Sequence, residues 1–448
     1  MKKGPNTLNA SSAPNIPNTP NKQNTPKSSE PNDAPPIPRS SSVKRGKVSL
    51  ESVRNTTDKP MECDNKDKKG LPQLPHLTMD DFKKCRNNNE VTQDIRFLIE
   101  RKKDFAPKGP AAEQFEQITS SGLITDRWLG NIPDKQNRVP FRVANVFMAQ
   151  NSEGMPYDDV VNKIDYAVSL DIPKTGKPIF VGFDVTLDDK ALEDKMLRTT
   201  TDPNKSVPFG FSGLDYCYSR EGEMLPKATN VPRYCLTMDL SEEKAKEYHQ
   251  NRYRLRLTPP EDREKDQYKN ARAYILNFNA MTRFMVLSEI YEQNKLYKAM
   301  LPPLNGKDNL TIKDAKSKLD AIGNKIESAL HRAALNCPLT TWDPQSQQGL
   351  SETNDAVRAV EARRAELFQE IKDCHDSEPE SEEKKQHILS LKQEIYQLVS
   401  DYMKTQDSHY SAMLATTSGL SELEQQGKLN GLKEIKPRNK MPQSYLLA

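Results

Sequence analysis

Between Lys163 and Leu187 apolar and polar positions alternate with a period of two, which predicts two short paired strands. In Lys163–Leu170 the residues Ile164, Tyr166, Val168 and Leu170 share one face, with Asp165, Ala167 and Ser169 on the other. In Ile179–Leu187 the residues Ile179, Val181, Phe183, Val185 and Leu187 share a face, leaving Phe180, Gly182, Asp184 and Thr186 opposite. A loop rich in Pro, Lys and Gly joins the two runs. Each strand thus carries one carboxylate on its less apolar face. Paired strands lie about 4.8 Å apart, so a suitable register lets Asp165 and Asp184 hold one divalent cation.

Around this pair the pattern predicts a mixed α/β unit. Thr78 is placed as the N-cap of a helix starting near Met79, with acids in its first turn. Helical spacing covers Glu90 to Lys103 and then Pro110 to Gly122, where Glu113 and Glu116 lie three apart on one surface. Val139–Ala149 reads as a strand, Asp188–Arg198 as a helix, residues 199–230 as a loop-rich excursion and Val231–Asp239 as a further strand. Helix, three strands, helix, strand suits a mixed sheet flanked by helices better than a barrel or sandwich.

After Ser241 the period changes to that of helices. Glu242–Arg254 and Lys265–Leu301 are expected to be helical, the second in several pieces, before Pro302 and Pro303 stop it. Leu319, Ile322, Ile326, Ala329 and Ala333 recur at 3-4 spacing. So do Val357, Val360, Arg364, Leu367, Ile371 and Cys374, and again Ile388, Leu391, Ile395, Leu398 and Tyr402. The last two stripes flank an acidic break, His375–Glu383, containing Pro379, which predicts an antiparallel helical hairpin. A final helix is expected over Leu414–Gln426. The resulting division is a basic tail over residues 1–75, an α/β core over 76–240, a helical region over 241–345 and a hairpin or bundle over 346–435.

Composition changes this picture mainly at the N-terminus. Of 448 residues only 35% are hydrophobic and 32 are proline, and Asn, Pro, Ser, Thr and Lys dominate up to about Leu71. Such a segment cannot bury enough apolar surface to offset its chain entropy, so it is expected to be disordered. Residues 1–75 hold 13 Lys and Arg against 7 Asp and Glu, a net +6 in a chain of net +3. The basic Ser42–Ser49 segment is a candidate for contact with nucleic acid or another anionic partner, against the plainer reading of a solvated tail. The six cysteines show no zinc spacing and read as reduced thiols, which points to a cytoplasmic setting. No apolar run reaches the length of a membrane span, and the start lacks the apolar stretch of a conventional signal peptide.

The helix acid, the first-strand Asp165 and Asp184-Val185-Thr186 on the next strand resemble the motif of the PD-(D/E)XK, or restriction-endonuclease-like, superfamily, over roughly residues 90–240. The resemblance implies a metal-dependent nuclease acting on DNA or RNA, using Mg²⁺ or Mn²⁺, or an inactive member kept for structure or binding. Asp165, Asp184 and Glu116 (or Glu113) would ligate the metal. Thr186 stands where the family has lysine, and Lys195 or Lys190 on the following helix would replace it. A reading from a different class is a non-catalytic interaction or scaffold protein whose C-terminal hairpin binds a protein partner.

Overall fold

The computed structural model describes residues 76–102, 110–124, 128–129, 142–171, 178–197, 209–219, 221–238, 241–301, 309–339, 355–376 and 381–429. The tail over residues 1–75, the basic Ser42–Ser49 segment and the Pro379 turn lie outside them. The helices are α1 (Met79–Phe82), α2 (Asn88–Arg101), α3 (Pro110–Ile124), α4 (Tyr157–Val160), α5 (Leu192–Leu197), α6 (Glu242–Leu257), α7 (Asp266–Met300), α8 (Asn309–Asn336), α9 (Asp355–Asp376), α10 (Glu382–Gln406) and α11 (Ser408–Gln425). The strands are β1 (Arg142–Met148), β2 (Tyr166–Asp171), β3 (Ile179–Val185), β4 (Phe211–Leu214), β5 (Cys217–Ser219) and β6 (Ala228–Leu236). The fold is mixed α/β with a helical C-terminal region, and all described residues belong to one compact unit.

The strands form one sheet in the order β4-β6-β3-β2-β1-β5. β1, β2 and β3 are an antiparallel meander, with Val143 opposite Leu170 and Tyr166 opposite Phe183. β6 then lies parallel to β3, with Gly182 beside Arg233 and Asp184 beside Cys235. β4 and β5, in the stretch expected to be loop, instead close the two edges of the sheet. They are only four and three residues long, too short for an alternation to stand out.

The central strands differ from the sequence pattern at their start, and both of their faces are covered. β2 starts at Tyr166 rather than Lys163, because Lys163 takes a positive φ of 57° and turns the chain. The less apolar face of the sheet is also not wet: Ala167, Ser169, Asp184 and Thr186 are all buried. A second apolar cluster, containing Val146, Ile164, Ala167, Leu214, Cys217 and Val231, covers it.

The other face carries the main core, where Val168, Val181, Phe183, Val185, Tyr234 and Leu236 meet α7 and α8. α7 is one unbroken 35-residue helix rather than several pieces. It contains no Pro or Gly, and two of its buried polar residues, Gln293 and Asn294, bond to β6 of the sheet. Gln293 accepts from Cys235 N at 2.8 Å and donates to Cys235 O at 2.7 Å, so its amide acts as a strand partner where β4 has ended. Tyr234 Oη donates to Asn294 Oδ1 at 2.8 Å, and Asn294 Nδ2 donates to Leu319 O at 3.1 Å, joining sheet, α7 and α8.

The same apolar cluster continues without a break through Leu319, Ile326, Leu367, Ile371, Ile388, Leu391 and Ile395 to Met413 and Leu429. The two heptad stripes do form facing helices, α9 and α10, clamped by Arg363–Glu394 at 2.6 Å and His387–Glu370 at 3.2 Å. Both contacts define one antiparallel register. No described helix is long and apolar enough to cross a membrane.

Candidate functional site

Near the C-terminal ends of the parallel strands β3 and β6 four ionisable side chains gather: Asp184 of β3, Arg233 of β6, Lys195 of α5 and Asp165 from the turn before β2. The geometry begins with Lys163. The turn there drops Ile164 over Gly182, so closely that a Cβ on residue 182 would lie 2.7 Å from Ile164 Cδ1. Any larger residue in the middle of this strand would therefore push Ile164 aside. With Ile164 seated, Asp165 N donates to Phe183 O at 2.8 Å, and Asp165 Oδ2 accepts from Val185 N at 2.7 Å. Asp165 is thus pinned against the end of β3, one residue from Asp184.

Asp184 points to the face opposite Phe183 and Val185 and is almost wholly buried. Its Oδ1 lies 2.5 Å from the ammonium of Lys195 on α5, and that ammonium also donates to Val185 O at 3.3 Å. Its Oδ2 lies 3.6 Å from the guanidinium of Arg233, a fully buried residue of β6. Arg233 Nη2 donates in turn to Lys195 O at 2.5 Å, tying the helix to the strand. Burial pulls the Lys195 proton affinity down, but the charges of Asp184 and Asp165 and the hydrogen bond to Asp184 outweigh it, holding the ammonium above its ordinary range.

Of the residues singled out from the sequence, Asp165, Asp184 and Lys195 come together. Glu116 is half-buried on α3 and acts on Tyr166 together with Asp165 and Asp159. Among the described residues no set of three His, Cys, Asp or Glu side chains is close enough to hold a metal, so Glu116 does not complete a three-carboxylate cage with Asp165 and Asp184. The Glu113 side chain lies outside the described set. Lys190 is exposed on the turn before α5. Thr186 is buried and its Oγ1 accepts from Asp188 N at 3.1 Å, so the position starts the turn into α5.

A divalent cation fits this donor set in one sense. The oxygens of Asp184 and Val185 already converge on a positive charge, the Lys195 ammonium, and Asp165 contributes its field. Two carboxylates and a carbonyl suit Mg²⁺ or Mn²⁺, which retain several waters and need few protein ligands. Arg233 works in the other direction, since its charge already offsets part of Asp184.

Sequence reasoning missed Arg233, whose signal was a cation in the middle of the apolar run Val231–Leu236. It also missed His409 on α11, whose Nδ1 is 2.5 Å from Asp189 Oδ1. Together with the Thr417 Oγ1 contact to Met196 Sδ at 3.7 Å, this docks α11 onto the helix that carries Lys195.

A second acidic pair was also missed. Asp158, fully buried, accepts from Asp215 N at 2.7 Å, Tyr216 N at 2.9 Å and Asn162 Nδ2 at 2.6 Å, and Asn162 also donates to Asp215 at 2.9 Å. Burial, and then the nearby Asp215, raise the Asp158 carboxyl above the carboxylate range. Arg86 donates to the carbonyls of Asp215 and Leu225, and Tyr216 Oη donates to Asp94 at 2.6 Å. These bonds fasten α2 and the residues after α1 to the sheet edge, which is a structural task.

No family model, no curated protein and no solved structure matches the chain.

Proposed function

We propose that this chain is a metal-dependent, nuclease-like protein acting on phosphodiester bonds of DNA or RNA, with a restriction-endonuclease-like core. The observation that carries the reading is the Lys195 ammonium held between Asp184 Oδ1 and Val185 O beside Asp165. This is an acid–acid–lysine constellation at the end of β3. The element order supports it: helix α3, the antiparallel meander β1-β2-β3, helix α5, then β6 parallel to β3. Lys195 stands in for the lysine that Thr186 replaces.

In this reading Asp165, Asp184 and the Val185 carbonyl hold Mg²⁺ or Mn²⁺, which supplies Lewis acidity and a water of lowered pKa. The chain's own residues do the rest. Val185 N–H fixes the Asp165 carboxylate, and Arg233 fixes that of Asp184 from the buried side. Lys195, the most exposed of the three residues at the Asp184 carboxylate, offers its charge to the phosphate. Glu116 flanks the site through Tyr166.

A second reading, a non-catalytic interaction protein, is favoured by one observation on the α9–α10 hairpin. Phe368 and Leu389 are 38% and 40% exposed, and the register of the Arg363–Glu394 and His387–Glu370 pairs sets them across from each other. That exposed apolar pair suits a protein partner.

Cleavage assays decide between them. Single- and double-stranded DNA and RNA are incubated with Mg²⁺ or Mn²⁺ and with chelator, using Asp165→Asn and Lys195→Met as controls. Metal-dependent cleavage lost in both variants supports the nuclease reading. No cleavage of any substrate, or cleavage that survives both substitutions, refutes it.

A further inference from the structure

The outward half of α6 carries cations and an aromatic ring that the fold does not use. After the half-buried Glu247 the helix contains no acid, and its last six residues are Arg-Tyr-Arg-Leu-Arg-Leu. Arg252 turns inward, donating to Ser121 Oγ at 2.9 Å and Tyr248 Oη at 2.7 Å. The others stay outside: Tyr253 is 64% and Leu257 53% exposed, and Lys246, Arg254 and Arg256 are exposed beside them. Lys246, Tyr253, Arg256 and Leu257 fall on one stripe at helical spacing, with Arg254 at its edge.

α7 packs against α6, with the Tyr248 and Phe278 rings 4.7 Å apart, and brings exposed Arg272 to the same antiparallel pair of helices. Among the described residues, none of Lys246, Arg254, Arg256 and Arg272 has a carboxylate within ion-pair distance. Some neighbouring exposed cations are paired, as Lys265 is with Asp262 at 2.7 Å and Lys269 with Glu264 at 3.1 Å at the tip of the same pair of helices. Complementing the helix dipole accounts for basic residues in the last turn of α6. It does not account for Tyr253 and Leu257 in solvent, or for Arg272 on the neighbouring helix.

Unpaired guanidinium groups interleaved with an exposed ring are the chemistry that binds a nucleic-acid strand, Arg to phosphate and Tyr to the base faces. We infer that the outward face of α6, with Arg272 of α7, is a docking surface for single-stranded nucleic acid. The inference rests on the nuclease reading for its choice of polyanion, and it adds where the strand lies and in what form it is held.

The test is fluorescence anisotropy with a labelled single-stranded oligonucleotide, in chelator so that nothing is cut, over a range of NaCl. Arg254→Gln/Arg256→Gln/Arg272→Gln should weaken binding at least about tenfold and lower the log–log salt slope by about 2, at roughly 0.7 per lost phosphate contact. Tyr253→Ala should weaken binding roughly five- to tenfold with the slope unchanged. The Lys version of the triple variant should restore the slope, which separates charge from folding damage. Unchanged affinity and slope in the Gln variant overturns the surface. Heparin or duplex DNA competing as well as the single strand, with Tyr253→Ala neutral, overturns the single-strand assignment. The nuclease reading fails separately. Loss of binding in these variants, in a protein that cleaves nothing, leaves the surface standing, and Lys195-dependent cleavage with binding unaffected by them leaves the nuclease standing.

Discussion

Asp184→Asn removes the counter-charge of a fully buried arginine, and its cost follows from the contacts. Asp184 pairs with Arg233 at 3.6 Å and Lys195 at 2.5 Å, and both it and Arg233 are out of water. Breaking a buried ion pair from one side costs about 3–5 kcal/mol, because the remaining charge stays desolvated. Arg233 keeps its bond to Lys195 O, and Lys195 can reach solvent, so we expect the lower end, about 3 kcal/mol. An isolated carboxylate on a strand would lead to the opposite expectation, relief of repulsion with Asp165. Urea unfolding of Asp184→Asn, Arg233→Met and the double variant measures it. The double variant should be less destabilised than the sum of the singles by about 2 kcal/mol or more. Asp184→Asn within about 1 kcal/mol of wild type, or strict additivity, would refute the buried-pair argument.

Three other expectations come from separate parts of the fold. Leu391→Asp places a charge in the α9–α10 seam beside Leu367 and Ile371, and should cost several kcal/mol in thermal or urea unfolding. Gln293→Leu strips partners from both backbone groups of Cys235 and should cost about 2–4 kcal/mol, with faster amide exchange at Cys235. His331 is the pH-sensitive case. Burial, and then Lys392, push its pKa from 6.5 down to about 4, so the unfolded chain binds the extra proton between those values. Stability should therefore be full above about pH 6.5 and fall by about 2 kcal/mol, after allowing for partial solvent screening, as pH drops toward 4. His331→Leu should flatten that part of the melting-temperature profile, and an unaltered profile would count against the assignment.

How much of this was legible beforehand depended on the range of the forces involved. Local patterns carried well: Thr78 precedes α1 as expected, its N–H and hydroxyl both donating to Asp81, and the Leu367 and Leu391 stripes form the expected pair of helices. The nearness of Asp165 to Asp184 was suggested by alternation, whereas Lys195 was named, beside Lys190, only through the family resemblance. What failed was whatever depended on a distant partner. β4 and β5 become strands because β6 and β1 pair with them, not because three or four residues prefer extension. The face of Asp184 carries acids and small residues, which commonly mark an exposed sheet face, yet Ile164 and its neighbours cover it. Arg233 is buried beside Asp184 and Lys195 O, contacts made across 49 and 38 residues that no local rule can see.

The measurement that bears most directly on the central claim is calorimetric titration of Mn²⁺ into the purified chain and into Asp165→Asn. Asp165 lies at the end of β3 and supplies one of the two carboxylates without being Arg233's counter-ion, so this variant should keep its fold. We expect one Mn²⁺ per wild-type chain and at least roughly tenfold weaker binding in Asp165→Asn. A wild-type chain that binds no Mn²⁺, or a variant that binds it as tightly, would contradict the account.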